Sequence, residues 1–377
     1  MKKIGIITIT DYVNYGNRLQ NYATQEILKS YGFYVETIKN IPKTEKIDNV
    51  EFTKYRLKNA LKLSPYTLIL KFIEKINEKI NYKKYIRAQK LKETSFREFS
   101  KKYITESSYV ISESYIPEKF DEKFDYFVVG SDQIWNPNLR KGSSFDFIQF
   151  APKGKRIALA PSFGVSIIPD EYKDLYSKWL NEMNFLSIRE QKGADLINKL
   201  CGRSAEVLID PTLMLTKQQW LEINESAKLK PNKKYLLTYF IGIISKKRNL
   251  WLKDFAKKHN LEIVQLACIH DFERYNASPS EFIDYINSAS IICTDSFHAI
   301  IFSMQMEKPF VVFDREGKSA PMSSRIDTLL SKFQFEDRKF SELIKTQKWF
   351  EINFTQFSII LDNERKKATD YLTKALN

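Results

Sequence analysis

The chain has 377 residues, a formal net charge of +14 and 43% hydrophobic residues. Its length favours two domains, and its hydrophobic content excludes an intrinsically disordered chain. No apolar run approaches the roughly 20 residues that span a bilayer, and the first apolar run is too short for a signal peptide, so we expect a cytoplasmic protein. The three cysteines, Cys201, Cys268 and Cys293, are far apart and predict neither a disulfide framework nor a zinc cluster.

The N-terminal residues predict the βαβ unit that opens a doubly wound sheet. A strand at 3–8 leads through a polar loop at 11–17 into a helix at 18–31, and a second strand covers 34–38. The loop lacks the G-x-G-x-x-G pattern of dinucleotide-binding folds. It precedes a helix N-terminus, however, where bound anions or hydroxyl groups are favoured.

The positive charge is concentrated between Lys43 and Lys102, where 17 Lys and Arg residues stand against 7 Asp and Glu residues. We expect a basic helical insertion at about 43–105, because apolar residues recur there at helical spacing. These residues are Ile69, Phe72, Ile73, Ile76 and Ile80. Two interpretations stay open: a helix that packs on its own domain with lysines in water, or contact with an anionic membrane or glycan. Nucleic acid is not an expected partner, since no nucleic-acid-binding motif accompanies the charge.

Strands and helices then alternate, with polar residues directly after the strands. In the first half we predict strands that end at Val129 and that cover 157–159, 185–188 and 206–209, with helices at 169–181 and 190–200. After a pause at 212–234, we predict strands at 235–240, 262–266, 291–295 and 309–313. The helices predicted between and after them cover 246–260, 280–289, 299–305, 324–332 and about 355–376.

This pattern predicts an α/β protein with two doubly wound Rossmann-like domains that face a cleft, as in the glycosyltransferase-B architecture. We expect an N-terminal domain at 1–212, a C-terminal domain at 213–350, and a final helix at 351–377 that packs back toward the first domain. Open α/β sheets bind ligands at the carboxyl ends of their strands. The run from Thr294 to His298 lies at such an end, between a buried strand and a helix.

The chain resembles the polysaccharide pyruvyltransferase family across nearly its whole length, and six stretches, which occur in the order of the family, carry the resemblance. They are residues 14–23, 129–137, 162–164, 187–190, 210–212 and 294–298. The resemblance implies transfer of the enolpyruvyl unit of phosphoenolpyruvate onto two hydroxyls of one sugar, giving a cyclic ketal and phosphate. It implies acceptors such as capsule, exopolysaccharide or cell-wall glycans, commonly as lipid-linked intermediates at the cytoplasmic membrane face. Phosphoenolpyruvate is then a co-substrate, and neither a cofactor nor a metal is expected.

One position departs from the family pattern. Where well-characterised members have Arg-Leu-His, this chain has Ser296-Phe297-His298. The histidine carries over, but the guanidinium that would bind phosphate or carboxylate does not. Arg325 or Arg189 is expected to compensate. Otherwise this branch of the family uses a different donor or acceptor. Two alternative functions stay open: a glycosyltransferase-like or other group transferase that uses a sugar nucleotide on the same scaffold, and a non-catalytic scaffold of a glycan-assembly complex.

Ketal formation requires anion binding, an acid and a base, and the expected roles follow from this. The predicted donor-binding residues are Arg189, Ser296 and Arg325, since Arg binds carboxylate and phosphate bidentately and Ser296 starts a helix. The predicted catalytic residues are His298 as acid or base, Asp295, which orients that imidazole or caps the helix, and Asp132 as base toward the acceptor.

The predicted acceptor-binding residues carry amide, hydroxyl or indole groups, which suit a sugar. They are Asn17, Gln20, Ser131, Gln133, Trp135 and Asn136. Three of the residues also have purely structural alternatives: Arg189 forms a salt bridge, His298 is a buried turn residue, and Trp135 fills the core of the domain.

Overall fold

The computed structural model describes residues 1–41, 65–113, 115–268, 271–316 and 323–377. For residues 65–83, 272 and 323 it describes the backbone alone, so the predicted apolar stripe at 69–80 lies outside the described side chains. Of the predicted basic insertion at 43–105, the structure describes a helix from Pro65 to Tyr103, and residues 42–64 lie outside the described part.

The first half of the chain forms a parallel sheet with strand order β3-β2-β1-β4-β5. A second parallel pair, β6 and β7, continues from it through a parallel bridge between Ile157 and Phe185. We call β1–β7 and the elements around them the N lobe. These elements are β1 Lys3–Ile7, α1 Tyr15–Ser30, β2 Tyr34–Ile41, α2 Pro65–Tyr103, β3 Glu106–Ser112, β4 Tyr126–Val129, α3 Pro137–Arg140, β5 Arg156–Ala158, α4 Asp170–Asn181, β6 Ser187–Ile188, α5 Gln191–Cys201, β7 Glu206–Val207, α6 Pro211–Met214 and α7 Lys217–Glu222.

The second half forms a parallel sheet with strand order β11-β10-β8-β9, and we call it, with its helices, the C lobe. The strands of the C lobe are short continuous runs of mostly apolar residues, because helices cover both faces of the sheet. The elements are β8 Tyr235–Tyr239, α8 Lys246–Lys258, β9 Glu262–Leu266, α9 Phe272–Tyr275, α10 Pro279–Ser288, β10 Ile291–Thr294, α11 Phe297–Gln305, β11 Phe310–Val312, α12 Ser323–Phe333, α13 Phe340–Thr346 and α14 Thr355–Leu376.

Two of the contacts between the lobes involve Tyr15 and helix α14. Tyr15, at the start of α1, stacks on Phe282 of the C lobe with ring centroids 4.4 Å apart, and its hydroxyl donates to the carbonyl of Ala277 at 2.9 Å. Helix α14 runs back along the N lobe, where the hydroxyl of Tyr371 donates to the carbonyl of Ala158 at 2.6 Å. One apolar cluster accordingly contains residues of both lobes.

The predicted fold class, α/β with two Rossmann-like units in a glycosyltransferase-B-like arrangement, is confirmed. The helix starts differ from prediction at two functionally placed helices. Helix α1 begins at Tyr15, because the Asn14 side chain accepts from the backbone N–H of Asn17 and caps it. Helix α11 begins at Phe297, because Ser296 is its N-cap. Among the described residues, no helix is long and apolar enough to cross a membrane.

Candidate functional site

A cavity of about 390 Å³ lies between the lobes, where loops that follow the strands of both sheets converge. From the N lobe it is lined by Asn14, Asp132, Gln133, Asn136, Asn138, Leu139, Gly164 and Val165. From the C lobe it is lined by Ile241, Ser296, Phe297, His298, Arg315 and Arg325. Six of the predicted site residues therefore border one cavity at the carboxyl ends of the strands, as expected for open α/β sheets.

His298 lies in the first turn of α11, which Ser296 caps by accepting from the backbone N–H of Ala299 at 3.5 Å. The imidazole is 7% exposed, and its Nε2 atom makes no hydrogen bond within the described residues. That atom lies 3.8 Å from Oδ2 of Asp210, which is an ion-pair distance and too long for a hydrogen bond. The imidazole is therefore placed between a buried carboxylate and the cavity.

Asp210 is a fully buried carboxylate that joins four groups. Its Oδ1 accepts from the backbone N–H and the hydroxyl of Thr212, at 3.0 and 2.7 Å, and so caps α6. Its Oδ2 accepts from Nη1 of Arg189 at 2.5 Å and from the hydroxyl of Ser131 at 2.9 Å. Burial alone would raise the pKa of Asp210, but the imidazole of His298 and the guanidinium of Arg189 hold it well below its usual range.

Arg189 and Arg325 flank the aromatic ring of Phe297, with guanidinium carbons 4.4 and 5.6 Å from its centroid. Both arginines approach Oδ1 of Asp132, at 3.6 and 3.7 Å. Burial opposes ionisation of Asp132, but Arg189, His298 and Arg325 keep the pKa of its carboxyl below the ordinary value. Burial and the charge of Arg189 lower the pKa of Arg325 to about 10.

The prediction for Asp295 is wrong, because its carboxylate neither orients the imidazole of His298 nor caps helix α11. Its carboxylate accepts from the backbone N–H groups of Ile241 and Gly242, at 2.7 and 2.9 Å. Its Oδ2 also lies 3.8 Å from Nε of Arg315, and Nη2 of Arg315 donates to the Asp295 carbonyl at 3.2 Å. Asp295 thus fixes the loop after β8 and a cavity-lining arginine.

Three predicted acceptor-binding residues, Asn17, Gln20 and Ser131, are buried and do not border the cavity. The amide oxygen of Asn17 accepts from Arg18, at 3.2 Å from Nε and 2.7 Å from Nη2, and from the backbone N–H of Asp11 at 3.1 Å. Gln20 accepts from the backbone N–H of Ser131 at 3.0 Å and donates to the hydroxyl of Thr8 at 2.9 Å. These polar side chains hold the loops that follow β1 and β4.

Trp135 is also placed differently from its prediction as a sugar platform. Its indole is fully buried, stacks on Phe147 at 4.9 Å, and donates to the carbonyl of Asp146 at 2.9 Å. Gln133 and Asn136, by contrast, border the cavity, and the amide of Asn136 donates to that of Gln133 at 2.8 Å. The indole therefore supports the turn that presents these two amides.

Sequence reasoning missed Arg315 and Asn14 as cavity residues and Asp210 as the partner of His298. Arg315 comes three residues after β11, so the same strand-end rule that selected His298 would have found it. For Asp210 the signal was an acidic residue shortly after β7. The described residues contain no group of three His, Cys, Asp or Glu side chains placed to hold a metal ion.

The protein-family model described as polysaccharide pyruvyl transferase matches residues 14–317 of the chain. No curated protein matches the chain significantly. Among solved structures, the UDP-GlcNAc 2-epimerase from Neisseria meningitidis bound to UDP-GlcNAc is 11% identical, with a TM-score of 0.43 over 99% of this chain and 100% of that one. The S. aureus MnaA-UDP co-structure is 10% identical, with a TM-score of 0.45 over 92% and 87%. The glycosyltransferase SnogD from Streptomyces nogalater is 8% identical, with a TM-score of 0.43 over 100% and 99%. At these scores the structural resemblances carry no argument about substrate.

Proposed function

Because this chain belongs to the polysaccharide pyruvyl transferase family, which consists of transferase enzymes, we propose that it forms a pyruvate ketal on a bacterial surface glycan. The donor in this proposal is phosphoenolpyruvate, and the acceptor is a sugar of a glycan or lipid-linked oligosaccharide intermediate. The reaction takes place in the cytoplasm or at the inner face of the cell membrane.

The observation that carries the proposal is a set of cationic and orphaned donor groups around one cavity. Arg315 and Arg325 line it, and Arg189 lies buried behind Phe297. Nε and Nη2 of Arg189 are buried without a hydrogen-bond partner among the described residues, as is Nε2 of His298. Buried donors without partners are uncommon and favour a bound acceptor such as carboxylate or phosphate oxygen.

In the proposed reaction, one sugar hydroxyl oxygen adds to C2 of phosphoenolpyruvate while a proton is added to the methylene carbon, which becomes a methyl group. The bond between C2 and the phosphate oxygen then breaks, and a second hydroxyl of the same sugar forms the second C–O bond. Of the two hydroxyl protons, one is on the methyl group and one leaves with the phosphate.

We assign the anionic groups of the donor to Arg325 and Arg315, with Ser296 and the α11 N-terminus beside them. A helix N-terminus presents free backbone N–H groups, which suits phosphate. This arrangement supplies the cation that the serine at position 296 does not provide.

We assign proton transfer to His298, since its Nε2 has no hydrogen-bond partner and Asp210 can stabilise the imidazolium form. Asp132 is a weaker candidate for the base than the sequence indicated. The pKa of its carboxyl is held low by Arg189 and Arg325, and a strongly ionised carboxylate takes up a proton poorly. We therefore assign Asp132 to the positioning of the two arginines. Gln133 and Asn136 remain the proposed acceptor contacts.

The test is to incubate the purified protein with phosphoenolpyruvate and a panel of lipid-linked and soluble glycan acceptors. We expect phosphate release and a mass gain of one pyruvate less one water on one acceptor. An intact donor with every acceptor, combined with thermal stabilisation by a uridine or guanosine diphosphate, would replace this proposal by a sugar-nucleotide-dependent transferase.

A further inference from the structure

Helix α8 of the C lobe and the loop that precedes it carry exposed lysine and aliphatic side chains. We call this set the α8 surface and define it by Lys246, Lys247, Lys253, Lys257, Lys258, Ile243 and Leu250. All seven residues are exposed, Ile243 to 65% and Leu250 to 61%. The opposite side of the helix is buried in the C lobe through Leu252, Phe255 and Ala256. The exposed residues of the helix include one acidic side chain, Asp254.

The five lysines of the α8 surface have no ion-pair partner among the described residues. Several other C-lobe lysines differ from them, because each pairs with a carboxylate. These are Lys230, Lys332, Lys339 and Lys345, paired with Asp284, Glu364, Asp327 and Glu342. Unpaired like charges on adjacent turns repel one another, so the α8 surface is a local positive potential that an external anionic partner would neutralise.

One end of the α8 surface, at Ile243, lies beside the interlobe cavity. Ile241 lines that cavity, is 50% exposed, and precedes Ile243 by two residues. The backbone N–H of Ile243 donates to the carbonyl of Glu316 at 3.0 Å, next to the cavity-lining Arg315. The loop that carries these isoleucines is therefore fixed in place beside the cavity.

We propose that the α8 surface docks on an anionic lipid bilayer. Lysine clusters bind the negative surface of such a membrane, and aliphatic side chains at the same surface enter the boundary between headgroups and acyl chains. A soluble polyanion would use the lysines but would gain nothing from Ile243 and Leu250. The α8 surface is distinct from the 43–102 segment that the charge distribution first indicated.

Because the Ile243 end of the α8 surface lies beside the cavity, docking brings this side of the cavity close to the bilayer. An acceptor sugar on a lipid carrier would then reach the arginines without leaving the membrane surface. This consequence alone rests on the proposed function; the docking itself does not, because its test measures no catalysis.

The test is co-sedimentation of the full-length protein with vesicles. One set contains phosphatidylcholine alone and the other phosphatidylcholine and phosphatidylglycerol in equal parts. We expect binding to the anionic vesicles only, reduced by high salt, and at least about ten-fold weaker for the triple variant K246E/K253E/K257E. The matched control is K178E/K192E/K199E, which reverses three exposed lysines on α4 and α5 of the N lobe and should bind like the wild type.

A second pair of variants tests the aliphatic part. I243S/L250S should bind anionic vesicles several-fold more weakly, whereas L175S/I359S, which changes two exposed aliphatic residues elsewhere, should not. The proposal is overturned if the two lysine variants lose binding equally, or if neutral vesicles bind equally well. It is also overturned if the lysines matter and Ile243 and Leu250 do not, since the attraction would then be purely electrostatic and nothing would favour a membrane over a soluble polyanion.

Discussion

Gly16 of helix α1 and the imidazole of His298 of helix α11 contact each other across the two lobes. A methyl group at Gly16 would overlap the Nδ1, Cγ and Cε1 atoms of that ring. The first turn of α1 therefore determines where the imidazole can lie, and it is itself held by the stacking of Tyr15 on Phe282. The position of the histidine depends on both lobes, although only one of them carries it.

Gly16→Ala should accordingly lower kcat by about 100-fold, since a displacement of about 1 Å at a reacting group costs that much. The free energy of unfolding should change by only about 1–2 kcal/mol, because better helix propensity offsets part of the overlap. Phosphate release and urea denaturation measure the two effects. Gly154→Ala is the control, since its added methyl group meets nothing within 4 Å. An unchanged kcat in Gly16→Ala would show that the imidazole position is not limiting.

Asp210→Asn should lower kcat by about 100-fold, because the imidazolium form of His298 loses its carboxylate. His298→Ala should have a similar effect, and the double variant should be no worse than the more severe single variant, because the two residues act as a unit. Thr212→Val is the control: it removes the hydroxyl that donates to Oδ1 and leaves Oδ2, which faces His298, unchanged. Full additivity of the two losses would contradict the pairing.

Asp210 also predicts a pH dependence of stability. Because the pKa of its carboxyl is below the ordinary value in the folded state, it stabilises the protein above a pH of about 4 and loses this contribution as the pH falls further. The wild type should therefore exceed Asp210→Asn in stability at neutral pH, and the difference should narrow in acid. Urea denaturation at a series of pH values measures it. A difference that stays constant below pH 4 would contradict the lowered pKa.

Arg315→Ala and Arg325→Ala should each raise the KM for phosphoenolpyruvate by about 10- to 100-fold, which corresponds to the loss of one charge-assisted hydrogen-bonded contact. Initial rates of phosphate release against donor concentration give this value. The control is Arg97→Ala, which removes an exposed arginine paired with Glu93 and should leave the KM unchanged. Unchanged donor KM values in both cavity variants would remove the arginines from the proposed donor site.

The sequence predicted which strand ends form the site but not which side chains meet there. His298, Ser296 and Asp132 lie beside the cavity because the carboxyl ends of parallel strands share one edge of a sheet, which is readable from the alternation of elements. The partner of the imidazole was not readable in this way. Asp295 is three residues from His298 in sequence, yet Asp210 faces the ring, because that choice depends on how the two lobes pack.

The burial of Asn17, Gln20 and Trp135 was unpredictable for a related reason. Amides, hydroxyls and an indole near a strand end suit a sugar, but they equally suit the backbone groups of neighbouring loops. Here Gln20 of helix α1 joins the loops after β1 and β4, because it donates to the hydroxyl of Thr8 and accepts from the backbone N–H of Ser131. Such contacts between separate loops are a tertiary feature that strand and helix patterns do not encode.

Lys92 gives the last prediction, on a buried charge outside the site. The residue is 4% exposed, and its ammonium lies 4.9 and 4.8 Å from the ring centroids of Tyr15 and Tyr275. Burial lowers the pKa of Lys92 to about 8, although the charge of Asp11 opposes this. Between pH 8 and about 10.4, Lys92 is protonated in the unfolded chain but largely neutral in the folded protein, so the free energy of unfolding of the wild type rises with pH across that interval.

Lys92→Met should therefore be about 2 kcal/mol more stable than the wild type at pH 7, because attraction to the aromatic rings offsets only part of the cost of burying the charge. This advantage should shrink as the pH approaches 10.4, whereas the exposed Lys90→Met control should show no such trend in urea denaturation. A loss of stability in Lys92→Met at pH 7 would mean that attraction to the rings outweighs the cost of burying the charge.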